Sequence, residues 1–307
     1  MTMSNYHIPV LLKESVEGLN IKPDGVYVDV TFGGGGHSKL ILSKLSEKGR
    51  LFAFDQDPDA QKNVLDDDRF TLIPENFRYL KRFLRFYGVK QVDGVLGDFG
   101  VSSHQFNEAE RGFSIRFDAR LDMRMNPKET IDAYHIINTY EESQLTQIIR
   151  DYAEIRIASK IAAAIVAQRA IEPIETTSQL NELVSSFFSE RKLNKMLAMF
   201  YQALRIEVNQ EIEALKLFLE QTEDVVSPGG RISLISYHSL EDRLVKRFIR
   251  SGKFQGDPEK DFYGNPMVAF RKVGKLVVPS AEEIKVNSRA RSAKLRIAER
   301  ITKPSAL

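Results

Sequence analysis

A chain of 307 residues has room for two domains of ~150 residues each and for a sizeable buried core, and its 42% apolar and 28% charged composition is that of an ordinary globular protein. It holds no cysteine and no tryptophan, which excludes a disulfide scaffold, a Cys-ligated zinc or iron–sulfur site and a cysteine nucleophile, and leaves base stacking to Phe, Tyr, His or Arg. The net charge of +2 conceals an asymmetry: residues 271–307 carry ten Lys or Arg against three acids, a net of +7, which leaves −5 on the first 270 residues.

The N-terminal stretch MTMSNYHIPVLLKE lacks the basic-then-apolar order of a secretion signal. The longest apolar run, Ile161–Ala167, has seven residues, too few for a bilayer. The chain is therefore expected in the cytoplasm, with no membrane partner. Val26–Phe32 (VYVDVTF) is β-branched and aromatic, bounded by Asp24-Gly25 and by four glycines, and reads as a buried strand. Ser38–Leu45 has helical spacing. Leu51–Asp55 is a second strand, followed by Pro58 and a polar helical run; Phe70–Pro74 is a third and Val92–Asp98 a fourth. Strands alternating with helices predict βαβ units and a parallel sheet covered on both faces.

After Gly100 the rhythm breaks. Residues 101–126 look loop-like, and 130–222 are almost free of glycine, with helical patterns at Glu141–Arg150, Ala153–Ala170, Ser178–Phe188 and Leu193–Leu219. Pro228-Gly229-Gly230 ends the run, and Arg231–Tyr237 resumes the strand pattern. Val268–Lys272, Lys275–Val278 and Ala293–Ile297 are candidate closing strands. The expected architecture is an α/β domain, residues 1–127 and 223–307, interrupted by an all-helical insertion at 128–222 that serves substrate recognition.

The segment VDVTFGGGGHSKLIL places four glycines between a strand and a helix, where positive φ angles and close backbone approach of a ligand are needed. Helix N-terminal amides there favour an anionic group. A P-loop would end in Gly-Lys-Ser/Thr, which Gly36-His37-Ser38-Lys39 does not supply. Asp55 closes the second strand 20 residues past Gly35, placed to accept from both hydroxyls of a ribose. It does so equally for NAD and for S-adenosylmethionine. The glycine pattern and Asp29 on the preceding strand lean toward the methyl donor. Asp98, at the end of the fourth strand, lies where ligands of open α/β sheets bind.

Several strings together resemble one family, the RsmH (MraW) 16S rRNA cytosine-N4 methyltransferases. They are HIPVLLKE (7–14), DVTFGGGGHS (29–38), DFGVSSHQF (98–106), ERGFSIRFDARLDMRM (110–125), ISYHSLEDR (235–243) and NSRARSAKLR (287–296). They stand in the family's order from residue 7 to about 300. The resemblance implies a class I S-adenosylmethionine-dependent methyltransferase, a Rossmann-like α/β fold with a helical insertion. It implies transfer of a methyl group to the exocyclic N4 of a cytidine, position 1402 in the decoding region of 16S rRNA, within a small ribosomal subunit or its late precursor. No DNA partner is expected, and a homo-oligomer stays open. Donor-binding residues carried over by motif are Gly35, Gly36, His37, Asp55, Phe77 in PENF, Asp98 and Gln105. The sequence departs from the family's pattern at Leu96-Gly97-Asp98-Phe99-Gly100, at Asn126 and at Asn287-Ser288, all of them local changes.

The cytosine amine is a weak nucleophile, because its lone pair is delocalised into the ring. A carboxylate accepting one amine hydrogen would raise its nucleophilicity and could later receive the proton. Many amino methyltransferases use an Asn/Asp/Ser-Pro-Pro-aromatic string for this, and none occurs here. Asp98 stands at the equivalent strand end and is the first candidate. Asp118, Asp122 and Arg124 in the charged loop beyond it come next, with ion pairing among neighbours as the plain alternative. His238 after the fifth strand can stack on or hydrogen-bond the base, or be structural. Phosphate contacts are expected from Arg289, Arg291, Lys294 and Arg296, with Arg111 and Arg116. The reaction requires no metal.

Overall fold

The computed structural model describes residues 9–101, 105 and 108–302. His7 and Ile8 of the N-terminal string, and Ser102, Ser103, His104 and Phe106 of the VSSHQF string, lie outside the described residues. The chain folds as two compact units, one running to Gly100 and resuming at Ile212, the other Val101–Glu211.

The first unit is built on seven strands: β1 (Val26–Asp29), β2 (Arg50–Phe54), β3 (Phe70–Ile73), β4 (Val92–Asp98), β5 (Val226–Ser236), β6 (Phe270–Val277) and β7 (Lys294–Arg300), in the order β3-β2-β1-β4-β5-β7-β6. The first five pair in parallel, while β7 runs antiparallel to both of its neighbours. This is the Rossmann-like class I arrangement that the sequence led us to expect. Strands covered on both faces read as continuous apolar runs, and Leu51–Phe54 and Val95–Leu96 are fully buried accordingly. Strand order reverses between β1 and β4, so the crevice for a ligand opens beyond their carboxyl ends. The two expected strands at 268–278 are one, β6, whose register shifts between Val273 and Val277 around Gly274 at φ +66°.

Helices α1 (Leu12–Gly18), α2 (Gly36–Leu42) and α3 (Leu80–Phe86) belong to this unit. The polar run after Pro58 forms a 3-10 helix, Pro58–Asn63, rather than an α-helix, capped by the Asp57 side chain. The second unit holds α4 (Ala133–Thr139), α5 (Glu142–Ala153), α6 (Ala158–Arg169), α7 (Thr177–Ser185) and α8 (Glu190–Asn209) around a core of its own that includes Ile136, Ile161 and Phe200.

Its limits differ from those read in the sequence, at both ends and for the same reason. Phe113, Leu121 and Met123 of the loop-like stretch are buried in the helical core, so the boundary falls near 100 rather than 127. The Leu193–Leu219 pattern is two helices, divided at Gln210 (φ +49°). The later one, α9 (Glu211–Val225), buries Leu215, Phe218 and Leu219 against the sheet. Three such side chains contribute roughly 2 kcal/mol each, which commits α9 to the first unit. The α10 helix (Ser239–Ser251) and α11 (Ala281–Val286) complete that unit. Among the described residues, no helix is long and apolar enough to cross a membrane.

Candidate active site

The turn after β1 is shaped by backbone geometry that only glycine adopts freely. Gly33 and Gly35 lie at φ +50° and +75°. A Cβ on Gly36 would sit 2.2 Å from Cγ of Pro9. The turn is pinned to the adjacent strand end, because the Asp55 carboxylate accepts the Gly33 amide at 2.7 Å and the Asp57 amide at 2.9 Å. At the start of α2, His37 is buried with Nε2 3.2 Å from the Val10 carbonyl oxygen. Ser38 donates its hydroxyl to Asp29 at 2.7 Å.

Three acids share this end of the sheet. Asp29 is fully buried, and burial pushes its carboxyl above the usual range, opposed by the His37 charge and by hydrogen bonds from Ser38 and Thr31. Burial also raises Asp55 to about 6, against the amides of Asp57 and Gly33. Asp98 rises to about 6 as well, again chiefly through burial; the His37 charge and the Tyr237 hydroxyl pull it down, and Asp29 and Glu241 push it up. The Asp98 main chain is fixed by its N–H donated to Thr31 Oγ1 at 2.7 Å. Its Oδ1 is buried and accepts no hydrogen bond among the described residues.

This electrostatic setting discriminates between ligand classes. Three carboxylates within one another's field repel a pyrophosphate and attract a cation. α2, at seven residues, is a short helix to set against them. The glycine turn gives a ligand close access to the backbone. An adenosine donor carrying a sulfonium and an ammonium group fits the charge. The open space at Gly33, where an added Cβ would meet nothing within 4 Å, fits its bulk, and the free Asp98 oxygen fits a hydrogen-bond donor.

Phe77 sits just beyond β3 in a three-ring cluster, 5.8 Å from Phe99 and 5.5 Å from Phe218 between centroids, and is partly buried there. Its ring is thus both a core element and a wall at the strand ends. His238 caps α10: its Nδ1 accepts the Glu241 amide at 3.4 Å, and its Nε2 lies 2.9 Å from Oε1 of the same residue.

The remaining candidates fall on the second unit. Asp118 accepts the Ser178 amide at 3.1 Å, which holds its carboxyl below the usual range. Asp122 and Arg124 form a two-point ion pair at 2.7 and 2.8 Å, and Arg124 also donates to the carbonyls of Pro127 and Glu129. Arg111 donates to the carbonyls of Arg124 and Met125 at 2.8 and 3.1 Å. These four side chains brace the segment 111–129. Gln105 is buried and Arg116 exposed.

The basic candidates divide in two. Arg289 and Arg291 are exposed on a 3-10 helix, Ser288–Ser292. Lys294 and Arg296 turn toward α10: Arg296 donates to Asp242 at 2.7 and 3.2 Å, and Lys294 lies 3.5 Å from the same carboxylate. The pair binds strand to helix. Lys294 faces Ser236 across the β5–β7 ladder, so the 3-10 helix before it lies at the donor end of the sheet.

Sequence reasoning passed over Thr31, Ser38, Tyr237 and Glu241. Each stands inside a quoted motif, beside a residue whose chemistry drew attention first.

The model of the MraW methylase family matches residues 4–301. A protein of Christiangramia forsetii named ribosomal RNA small subunit methyltransferase H is 66% identical over 301 residues, covering 98% of this chain and all of the relative. One of the same name from Flavobacterium johnsoniae is 61% identical over 300 residues, covering 98% and 99%. Another from Bacteroides thetaiotaomicron is 53% identical over 296 residues, covering 96% and 97%.

Proposed function

Since this chain belongs to the MraW methylase family, we propose that it methylates the RNA of the small ribosomal subunit, using S-adenosylmethionine, at the exocyclic N4 of cytidine 1402 in the decoding region. The observation that carries this reading is the buried Asp98 oxygen left without a partner beside the buried Asp29, the half-buried Asp55 and a glycine turn. A neutral donor or acceptor would leave that charge uncompensated.

Gly33–Gly36 would admit the donor, Asp55 would accept its ribose hydroxyls, and Phe77 would flank its adenine. When bound, S-adenosylmethionine supplies a methyl group made electrophilic by the sulfonium. Asp98 holds the substrate amine by accepting one of its hydrogens, orients the lone pair toward the methyl carbon, and takes the proton after transfer. Asp118, Asp122 and Arg124, and Gln105 with them, serve by shaping the charged segment beyond β4, and His238 by fixing the start of α10. Arg289 and Arg291 reach for phosphates at the same sheet end, with Lys294 and Arg296 holding the strand behind them to α10; Arg116 and Arg111 are the basic contribution of the helical unit.

Tritiated methyl transfer to unmodified small-subunit particles and to free 16S rRNA, followed by nucleoside mapping, tests the reading. The expected product is N4-methylcytidine at a single site. Any other modified nucleoside overturns the target.

A further inference from the structure

We propose that His238 is a specificity-determining residue of the methyl transfer: its Nε2–H donates to N3 of the target cytosine, while Asp98 Oδ1 accepts a hydrogen of the amine on the adjoining carbon. This rests on the reading of Asp98 as the amine acceptor and adds the group that recognises the neighbouring ring atom. Both protein atoms are buried, and neither makes a hydrogen bond among the described residues. Asp98 pairs with Ile235 across β4 and β5, and His238 follows Ile235 by three residues. The two side chains therefore belong to adjoining strand ends on the donor side of the sheet.

The imidazole is engaged through one nitrogen only. His238 caps α10 with Nδ1, which accepts the Glu241 amide, and Glu241 Oε2 reaches back to the amides of Tyr237 and His238 at 2.9 and 3.4 Å. A ring nitrogen that accepts carries no hydrogen, so the neutral ring has its hydrogen on Nε2. Glu241 Oε1 lies 2.9 Å from Nε2, yet Nε2 makes no hydrogen bond to it, so this oxygen stands off the line of the N–H. The His238 side chain is only 7% exposed. A donor shut away from water, with its tautomer set by a helix cap, is costly to leave unfilled. An acceptor on the substrate relieves that cost.

An acceptor beside a donor matches one kind of base edge. Cytosine presents its N4 hydrogens next to a bare N3 and so satisfies both protein atoms. Uracil presents O4 and N3–H, and guanine O6 and N1–H, the reverse at each position. Either base would set an oxygen against the Asp98 carboxylate and a hydrogen against the His238 N–H. The pair therefore selects amino bases over keto bases at the step where the amine is the nucleophile. Glu241, which holds His238, also raises Asp98 by its charge, as expected of groups on adjoining strand ends.

The test pairs a protein substitution with a single-atom change in the RNA, read by single-turnover methyl transfer. The parent and His238→Asn act on small subunits reconstituted from 16S rRNA carrying cytidine or 3-deazacytidine, in which C–H replaces N3, at the methylated position. Asparagine is a good helix cap but too short to supply the Nε2 hydrogen, so the variant keeps the structural role and drops the recognition. Replacing N3 is expected to slow the parent by about tenfold or more, because it strands the buried donor. His238→Asn should lose about tenfold or more on cytidine and no more than about twofold further on 3-deazacytidine, with donor affinity within about twofold of the parent. His238→Gln, whose amide extends toward the Nε2 position, should recover part of the rate. The parent's own response needs no variant, so an unchanged rate on 3-deazacytidine overturns the bond whatever the variants' stability. Equal losses on 3-deazacytidine in parent and His238→Asn, or full activity of His238→Asn on cytidine, overturn the role of His238 alone. Absence of methyl transfer to cytidine by the parent overturns the reading of the site, and the role of His238 with it.

Discussion

Arg296 on β7 grips Asp242 on α10 at two points, 2.7 and 3.2 Å, with both side chains only 14% exposed. Arg296 belongs to a basic string that reads as a phosphate contact and Asp242 to the ISYHSLEDR string, and together they fasten a strand to a helix. A two-point pair this sheltered from solvent is worth more than a surface bridge.

Arg296→Ala is therefore expected to destabilise the protein by about 1–3 kcal/mol, because it strands the Asp242 carboxylate. RNA affinity of the folded protein should change little. Thermal unfolding together with filter binding checks both; unchanged stability with a large loss of RNA affinity would reverse the assignment.

Arg289→Ala with Arg291→Ala should show the opposite pattern. Both side chains are exposed, so stability should move by less than about 0.5 kcal/mol. If each neutralises one phosphate, the slope of log affinity against log salt falls by about two. A slope equal to the parent's would make them a solvated face only.

Asp55 holds Gly33 and Asp57 while standing where donor hydroxyls are expected. Asp55→Asn replaces one acceptor oxygen with a donor group, and donor affinity should drop about 10- to 100-fold by calorimetric titration. Affinity within a factor of two of the parent would remove Asp55 from the donor site.

Donor affinity should rise with pH between 5 and 7 and then level off, since Asp55 and Asp98 ionise near 6 and the ionised forms attract the cation. The donor-free protein should behave inversely. Its two carboxyls bind protons more tightly folded than unfolded, where the value is ~3.9, so stability falls as pH rises from ~4 through ~6. Melting temperatures with and without S-adenosylmethionine over pH 4.5–7.5 should diverge on this pattern. Parallel curves would show that neither carboxyl meets the donor.

Gly36→Ala tests the close packing of the glycine turn against Pro9. The added Cβ would stand 2.2 Å from Pro9 Cγ, so the segment before α1 must move. A loss of about 1–3 kcal/mol is expected from the overpacking, and weaker donor binding with it. Calorimetry and donor titration of the same preparation read both, and an unaltered melting temperature would show that Pro9 yields freely.

The strands, the glycine turn and the strand-end acids were legible in the sequence because each rests on local pattern: β-branched runs, a glycine cluster, and an acid where a run stops. The division of the chain was less so. Phe113 and Met123 sit in a stretch without periodicity, and only the tertiary fold shows that they fill the helical core. Gln210 carries no helix-breaking signature, yet its left-handed backbone separates α8 from α9. Pairings such as Arg296 with Asp242, or Arg231 with Glu299, depend on which strands become neighbours. Spacing along the chain does not disclose that β7 inserts between β5 and β6.

The core around α4–α8 shares no residue with the three clusters that line the sheet, and it is inserted in the connection from β4 to α9. The crossover β4–α9–β5 contains in itself every element that a parallel connection requires. The 101–211 stretch is thus an excursion from a connection that could close without it. The helical unit has a cohesion of its own to lose, and a cavity cut at Ile161 or Phe200 is felt first within residues 101–211.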